Sequence, residues 1–368
     1  MRENDQRADT TTVYTYTNGN ITGKKVYKYT LGDVGAEIKS TSYGYSNSEW
    51  RDLLTSFNGQ AVTYDEIGNP LTFGSKTFEW CGRQLERITD GDNTYVYAYN
   101  TDGDRVSKTV NGVKTEYFYN GSILAGQKTG DETLIFMYDN NGDAFGFIYN
   151  GEEYYYIKNV QNDIVAIADK NGTVVANYYY DAWGNVTQIT GNTALAQTNP
   201  LRYRSYYYDS ETGYYHLKSR YYNPELCRFI NADSVDVLDE DQNNVLENNL
   251  FAYCLNNPVN MVDYDGNSAI AIAGGYGLYV WAFAGANAWN IIGQVVLVGM
   301  AVVTIVLAIK IVYDKTSGKK TTKNGSQSAG HRSTRNGSKR KTNDRHTKPR
   351  PGRQSEKKKM KPSWKRRR

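Results

Sequence analysis

"TYVYAYNTDGDRVSKTV", residues 94–110, decides the fold. Tyr95, Tyr97 and Tyr99 fall on one face of an extended segment and Val96 and Ala98 on the other. That period of two is a β-strand facing two environments. An Asx residue, Asn100, follows the last aromatic, and Gly103 follows three residues later. An Asx side chain folds back on the next backbone N–H groups, and Gly supplies a positive φ, so the chain returns as a hairpin. The same form recurs in "YDEIGN" at Tyr64, "YDNNGD" at Tyr138 and "YDAWGN" at Tyr180, at spacings of 35, 39 and 42 residues from Tyr64 onward.

From Val13 to about Val186 the chain is strand-type throughout: short runs of Tyr, Val, Thr and Ile broken by Gly, Asn and Asp. "YYYIKNVQNDIVAIADKNG" (154–172) reads as a degenerate hairpin between two repeats, and "SEWRDLLTSFNG" (48–59) as a short helix or a further strand and turn. A lone hairpin cannot bury its own face, so an array of them must stack into a sheet.

Charge divides the chain. Residues 1–309 carry 21 Lys+Arg against 36 Asp+Glu, and residues 310–368 carry 22 against 3, behind a net charge of only +4. An acidic body with a basic tail is expected. Three cysteines, Cys81, Cys227 and Cys254, have neither the number nor the spacing of a disulfide framework or a metal clip. No phosphate loop, H-E-x-x-H helix or Cys/His cluster is present, so no cofactor and no metal is expected. The opening "MRENDQRADT" has no apolar run and reads as a disordered start over residues 1–10, without a signal peptide.

The four Tyr-Asx turns, with "FEWCGRQLERI" after the first, resemble the YD repeats of the Rhs family. "LRYRSYYYDSETGYYHLKSRYYNPELCRFINADS" (201–234) resembles the repeat-associated core that follows them. The resemblance spans roughly residues 11–267 and implies a mainly β fold: stacked antiparallel hairpins, part of a spiralling β shell. It implies a YD-repeat region over 11–190 and a core over 191–267. It also implies that the chain is the C-terminal piece of a longer protein with further upstream repeats, at the cell surface or secreted. Such shells carry a C-terminal effector for competition between cells, opposed by an immunity protein. The eight tyrosines between Tyr203 and Tyr222, interleaved with charge, suit the wall of a wet, hollow shell.

Members of this family cut themselves by chemistry similar to that of aspartic proteases. The family pattern carries over to Arg220 in "SRYYNPELCRF", Asp233 in "FINADS" and Asp263 in "LNNPVNMVDYDGN", with cleavage between Asn267 and Ser268. The family's D-P-x-G reads Asp263-Tyr264-Asp265-Gly266 here, and Asn267 stands where Leu is usual. Two carboxylates held close share a proton, one serving as acid and the other activating water. The competing reading makes Asp263 and Asp265 parts of an Asx-turn closed by Gly266, and Asp233 a loop cap. His216, among tyrosines, reads as a hydrogen-bonded wall residue rather than a base.

No charged residue occurs from Gly266 to Ile309. Ile291 to Ile309 is long enough to cross a bilayer core of ~30 Å, and Ala269 to Trp289 is a weaker, glycine-rich companion. One or two transmembrane helices over 268–313 are expected, then a disordered basic tail over 314–368. The tail's cations suit a phosphate-rich polymer or anionic lipid. The rival reading is a cell-surface protein that binds wall glycans through its tyrosine-rich strands, with a plain membrane anchor.

Overall fold

The computed structural model describes residues 1–234, 249–267 and 269–271. Nineteen strands, β1 (Arg2–Asp5) to β19 (Val186–Gly191), form one sheet in which each pairs antiparallel with its sequence neighbours. The pairing is a pure meander, as stacked hairpins require. The start is not disordered: Arg2, Glu3, Asn4 and Asp5 pair in register with Val13 to Thr10. Residues 48–59 take the strand-and-turn form, with strands at Ser56–Phe57 and Gln60–Tyr64.

The repeat has a fixed local structure. In each unit the Oδ1 of Asp65, Asn100, Asp139, Asn159, Asp169 or Asp181 accepts the N–H groups two and four residues on, at 2.8–3.0 Å. The ladder slips by one residue just before each of them, at Thr63/Tyr64, Ala98/Tyr99 and Met137/Tyr138, for example. This bulge bends the strand into its turn. The degenerate unit obeys the rule too, with Lys158 in the tyrosine's place and Asn162, at φ 71°, in the glycine's. At the other end of the strands tight turns such as Asn111-Gly112, both at positive φ, close the hairpins.

The sheet curls until its beginning meets the turn before its last strand. Glu3 Oε1 accepts the Ala182 N–H at 2.6 Å, Tyr14 packs on Trp183 with ring centroids 5.8 Å apart, and Lys24 Nζ lies 4.0 Å from Asp181. Burial, then the charge of Asp181, raises Glu3 from 4.5 to about 7. A carboxyl raised in the folded state stabilises it fully below its unfolded value and ceases to do so as pH rises through the folded one. Wild type should therefore lose melting temperature between pH 5 and pH 8 relative to Glu3→Gln. Parallel melting curves for the two chains would refute the role of this seam.

After Gly191 the chain turns inward. A six-residue helix, α1 (Thr193–Thr198), is capped by Asn192, whose side chain accepts the Leu195 N–H at 3.1 Å. A small sheet follows, β20 (Tyr207–Asp209), β21 (Tyr214–Leu217), β22 (Arg220–Asn223) and β23 (Arg228–Phe229), then a hairpin of β24 (Met261–Val262) and β25 (Ile270–Ala271). The tyrosines here are not a wet wall. Tyr203, Tyr206, Tyr207, Tyr214, Tyr215, Tyr221 and Tyr222 are at most 7% exposed and pack against aromatic residues of the sheet.

Each hydroxyl needs a partner once buried. Tyr203, Tyr222 and Tyr215 donate to the successive carbonyls of Ala182, Trp183 and Gly184, at 3.0, 2.6 and 2.8 Å. The last repeat turn is thus inserted into the core segment, and Trp183 at its tip is fully buried. Charge is buried with the rings. Arg105 forks onto Asp209 at 2.6 and 3.0 Å, and Lys108 bridges Asp209 and Glu211 at 2.9 Å each.

Among the described residues no helix is long and apolar enough to cross a membrane. The expected span Ile291 to Ile309, most of its companion segment and the whole basic tail lie outside the described residues, as do the boundaries drawn at 313 and 314.

Candidate self-cleavage site

Arg220 opens β22, directly after a tight turn in which Lys218 takes φ 53°. Asp233 lies four residues past Phe229, where Ala232 N–H bonds to Gly68 O at 3.1 Å and Asp233 N–H to Leu250 O at 2.9 Å. The first repeat turn therefore helps to place the first aspartate. Asp263 follows β24, reached through Cys254, Leu255 and Asn256, three consecutive non-glycine residues at φ 50°, 50° and 57°. Left-handed backbone of this kind costs roughly 1–2 kcal/mol per residue, and here it redirects the chain toward the β20–β23 sheet. Tyr206 fixes the aspartate's backbone, its hydroxyl donating to Asp263 O and accepting Asp263 N–H.

These elements bring the three residues together. Arg220 Nη2 lies 2.8 Å from Asp233 Oδ2 and 3.4 Å from Asp263 Oδ2, so one guanidinium nitrogen serves two carboxylates thirty residues apart in sequence. Arg220 Nη1 donates to Leu250 O at 3.0 Å, its Nε to Gly266 O, and its guanidinium carbon sits 3.6 Å from the Phe229 ring centroid. Arg220, Asp233 and Asp263 are 5%, 8% and 1% exposed.

Burial is the largest influence on each. It raises both aspartates above their ordinary value, with Arg220 drawing them back, and it lowers Arg220 despite the two carboxylates beside it. A pair of carboxyls so placed retains a proton more readily than free ones and can serve as acid and base together.

The Asx-turn is also present. Asp263 Oδ1 accepts the Gly266 N–H at 2.8 Å, Asp265 Oδ1 accepts the Asn267 N–H at 3.1 Å, and Gly266 has φ 82°. The two readings of Asp263 coexist because it has two oxygens, one for the turn and one for Arg220. Asn267 is exposed, and Ser268 lies outside the described residues. His216 is no base in this site: it packs on Tyr221 at 5.0 Å, and burial, then Arg105, pushes it down to about 3. Ser219, which bonds the Asp265 carbonyl, was not singled out by its sequence. Its one signal is adjacency to Arg220.

A family model described as Teneurin YD-shell matches residues 5–259. The chain belongs to the YD-shell family. Its YD-repeat, Rhs-type character is shared with the tRNA nuclease WapA of Bacillus subtilis (strain 168), 36% identical over 264 residues, which are 70% of this chain and 11% of that protein. The tRNA(Glu)-specific nuclease WapA of Bacillus subtilis subsp. natto is 39% identical over 241 residues, 61% of this chain and 10% of that protein. This YD-shell chain thus spans about a tenth of the length of those relatives. The crystal structure of TcdB2-TccC3-Cdc42 shares the fold with a TM-score of 0.55 at 19% identity, over 70% of this chain and 13% of that one.

Proposed function

We propose that this chain is part of a YD shell that encloses and delivers a C-terminal effector region in competition between cells, and that Arg220, Asp233 and Asp263 free that region by cutting the chain near residue 267. The observation that carries the reading is the single Arg220 nitrogen shared by two buried carboxylates, against the backbone that follows Asp263. The relatives named as tRNA nucleases support joining such a shell to a toxin. On this reading the described strands are one turn of a longer spiral, the protein acts at the cell surface or after secretion, and an immunity protein protects its producer. The effector's own chemistry belongs to residues beyond 271.

Expressed and run on a denaturing gel, the 368-residue chain should give two pieces, the smaller of about a hundred residues. A single intact band after prolonged incubation would sink self-cleavage. Residues 268–368 expressed alone should slow growth or collapse the membrane potential of the host. Unimpaired cells would remove the effector role.

A further inference from the structure

From the Asp265 carbonyl to the Asn267 N–H, each successive backbone polar group is held. Ser219 gives both its N–H, at 3.2 Å, and its hydroxyl, at 2.8 Å, to the Asp265 carbonyl. The Gly266 N–H binds Asp263 Oδ1 at 2.8 Å, and the Gly266 carbonyl receives the Arg220 Nε–H. The Asn267 N–H binds Asp265 Oδ1 at 3.1 Å. The glycine itself fits closely: a Cβ on Gly266 would lie 2.6 Å from Leu217 O, 2.7 Å from Ser219 Oγ and 3.2 Å from Arg220 N. Only a residue without a side chain brings its carbonyl this near the guanidinium.

One peptide group therefore has its oxygen on Arg220 and its N–H on a carboxylate, and it is the group joining Gly266 to Asn267. We infer that the bond cut is Gly266–Asn267, one position before the bond the family resemblance implies. The inference rests on the self-cleavage reading above. A donor already aimed at a carbonyl oxygen polarises that carbonyl and draws electron density from the carbon that water must attack. The same arginine holds Asp233 and Asp263, so the groups that activate water and polarise the carbonyl share one anchor.

The chemistry is a hydrolysis. One carboxylate of the pair takes a proton from water, whose oxygen bonds to the Gly266 carbonyl carbon, while the protonated partner gives its proton to the carbonyl oxygen. The tetrahedral species then collapses: the carboxyl that took the proton from water gives it to the nitrogen, the C–N bond breaks, and Asn267 leaves as a free α-amine. Gly266 is left as a carboxylate. Ser219 is a positioning residue here, holding the carbonyl that precedes the Gly266 peptide.

The experiment is the intact mass of the N-terminal product from the 368-residue chain, cleaved in ordinary and in heavy-oxygen water. The expected product ends at Gly266 and carries one heavy oxygen in its new carboxylate. A product ending at Asn267 overturns this inference and leaves self-cleavage standing. A chain that stays whole removes both.

Discussion

Asp263→Asn and, separately, Asp233→Asn should each leave the chain folded and uncut. Asparagine keeps a carbonyl oxygen where Asp263 Oδ1 accepts the Gly266 N–H, and likewise where Asp233 Oδ1 accepts the Ser234 N–H. The turns that position the site therefore survive. What each variant loses is an ionisable oxygen beside Arg220 Nη2, and with it one half of the acid–base pair. Removing one member of a catalytic unit typically lowers turnover by a factor of about 10⁴, which on a gel is the difference between complete cleavage and none.

The pH dependence carries the same logic. Both carboxyls are raised by burial, and the pair works while it holds one proton. Cleavage should therefore persist to higher pH than ordinary carboxyls would allow and fall once that proton is lost. Time courses of band intensity across pH test this. Wild-type cleavage in either variant would show that the two aspartates are not the catalytic pair.

What could be read from the sequence was what short-range chemistry dictates. The turn units were legible because an Asx oxygen reaching N–H groups two and four residues on needs only the right residues in order. The degenerate unit at Lys158 to Asp163 was visible for the same reason. The helix at Thr193–Thr198 had its signals too, Asn192 as cap and Pro200 beyond its end, but six residues carry little periodicity.

The long-range features had no such signature. Arg105 and Asp209 are 104 residues apart, and each alone looks like a surface charge. The tyrosines of 201–234 looked like a wall because charge alternates with them. They are core because the charges buried with them, such as Arg204, Asp209 and Arg220, meet partners from the sheet and from one another. The meeting of Asp233 and Asp263 on Arg220 was legible only by resemblance, since nothing local says that residues 233 and 263 approach each other. The hold of Arg220 on the Gly266 carbonyl was not legible at all.

The second large effect concerns the lock between sheet and core. Asp209→Ala should cost about 3–5 kcal/mol, because it leaves the buried Arg105 and Lys108, 2% and 11% exposed, without the carboxylate that they share. Glu211 can answer only Lys108, and Arg105 would keep only tyrosine hydroxyls, those of Tyr117 and Tyr221. Burial raises Asp209, but Arg105 and Lys108 overcome it and hold the carboxyl well below its ordinary value near 3.8. A depressed carboxyl stabilises the fold above its unfolded value and ceases to as pH falls through its folded one. The wild-type advantage over Asp209→Ala should thus be complete at pH 6 and shrink only in strong acid.

Urea titrations would show the loss as a lower midpoint at unchanged slope. The double replacement Arg105→Met with Asp209→Leu should recover most of it, since apolar groups of similar volume need no partner. A cost below about 1 kcal/mol for Asp209→Ala would mean that water or Glu211 takes the carboxylate's place. The tyrosine stack alone would then hold the core segment in the sheet.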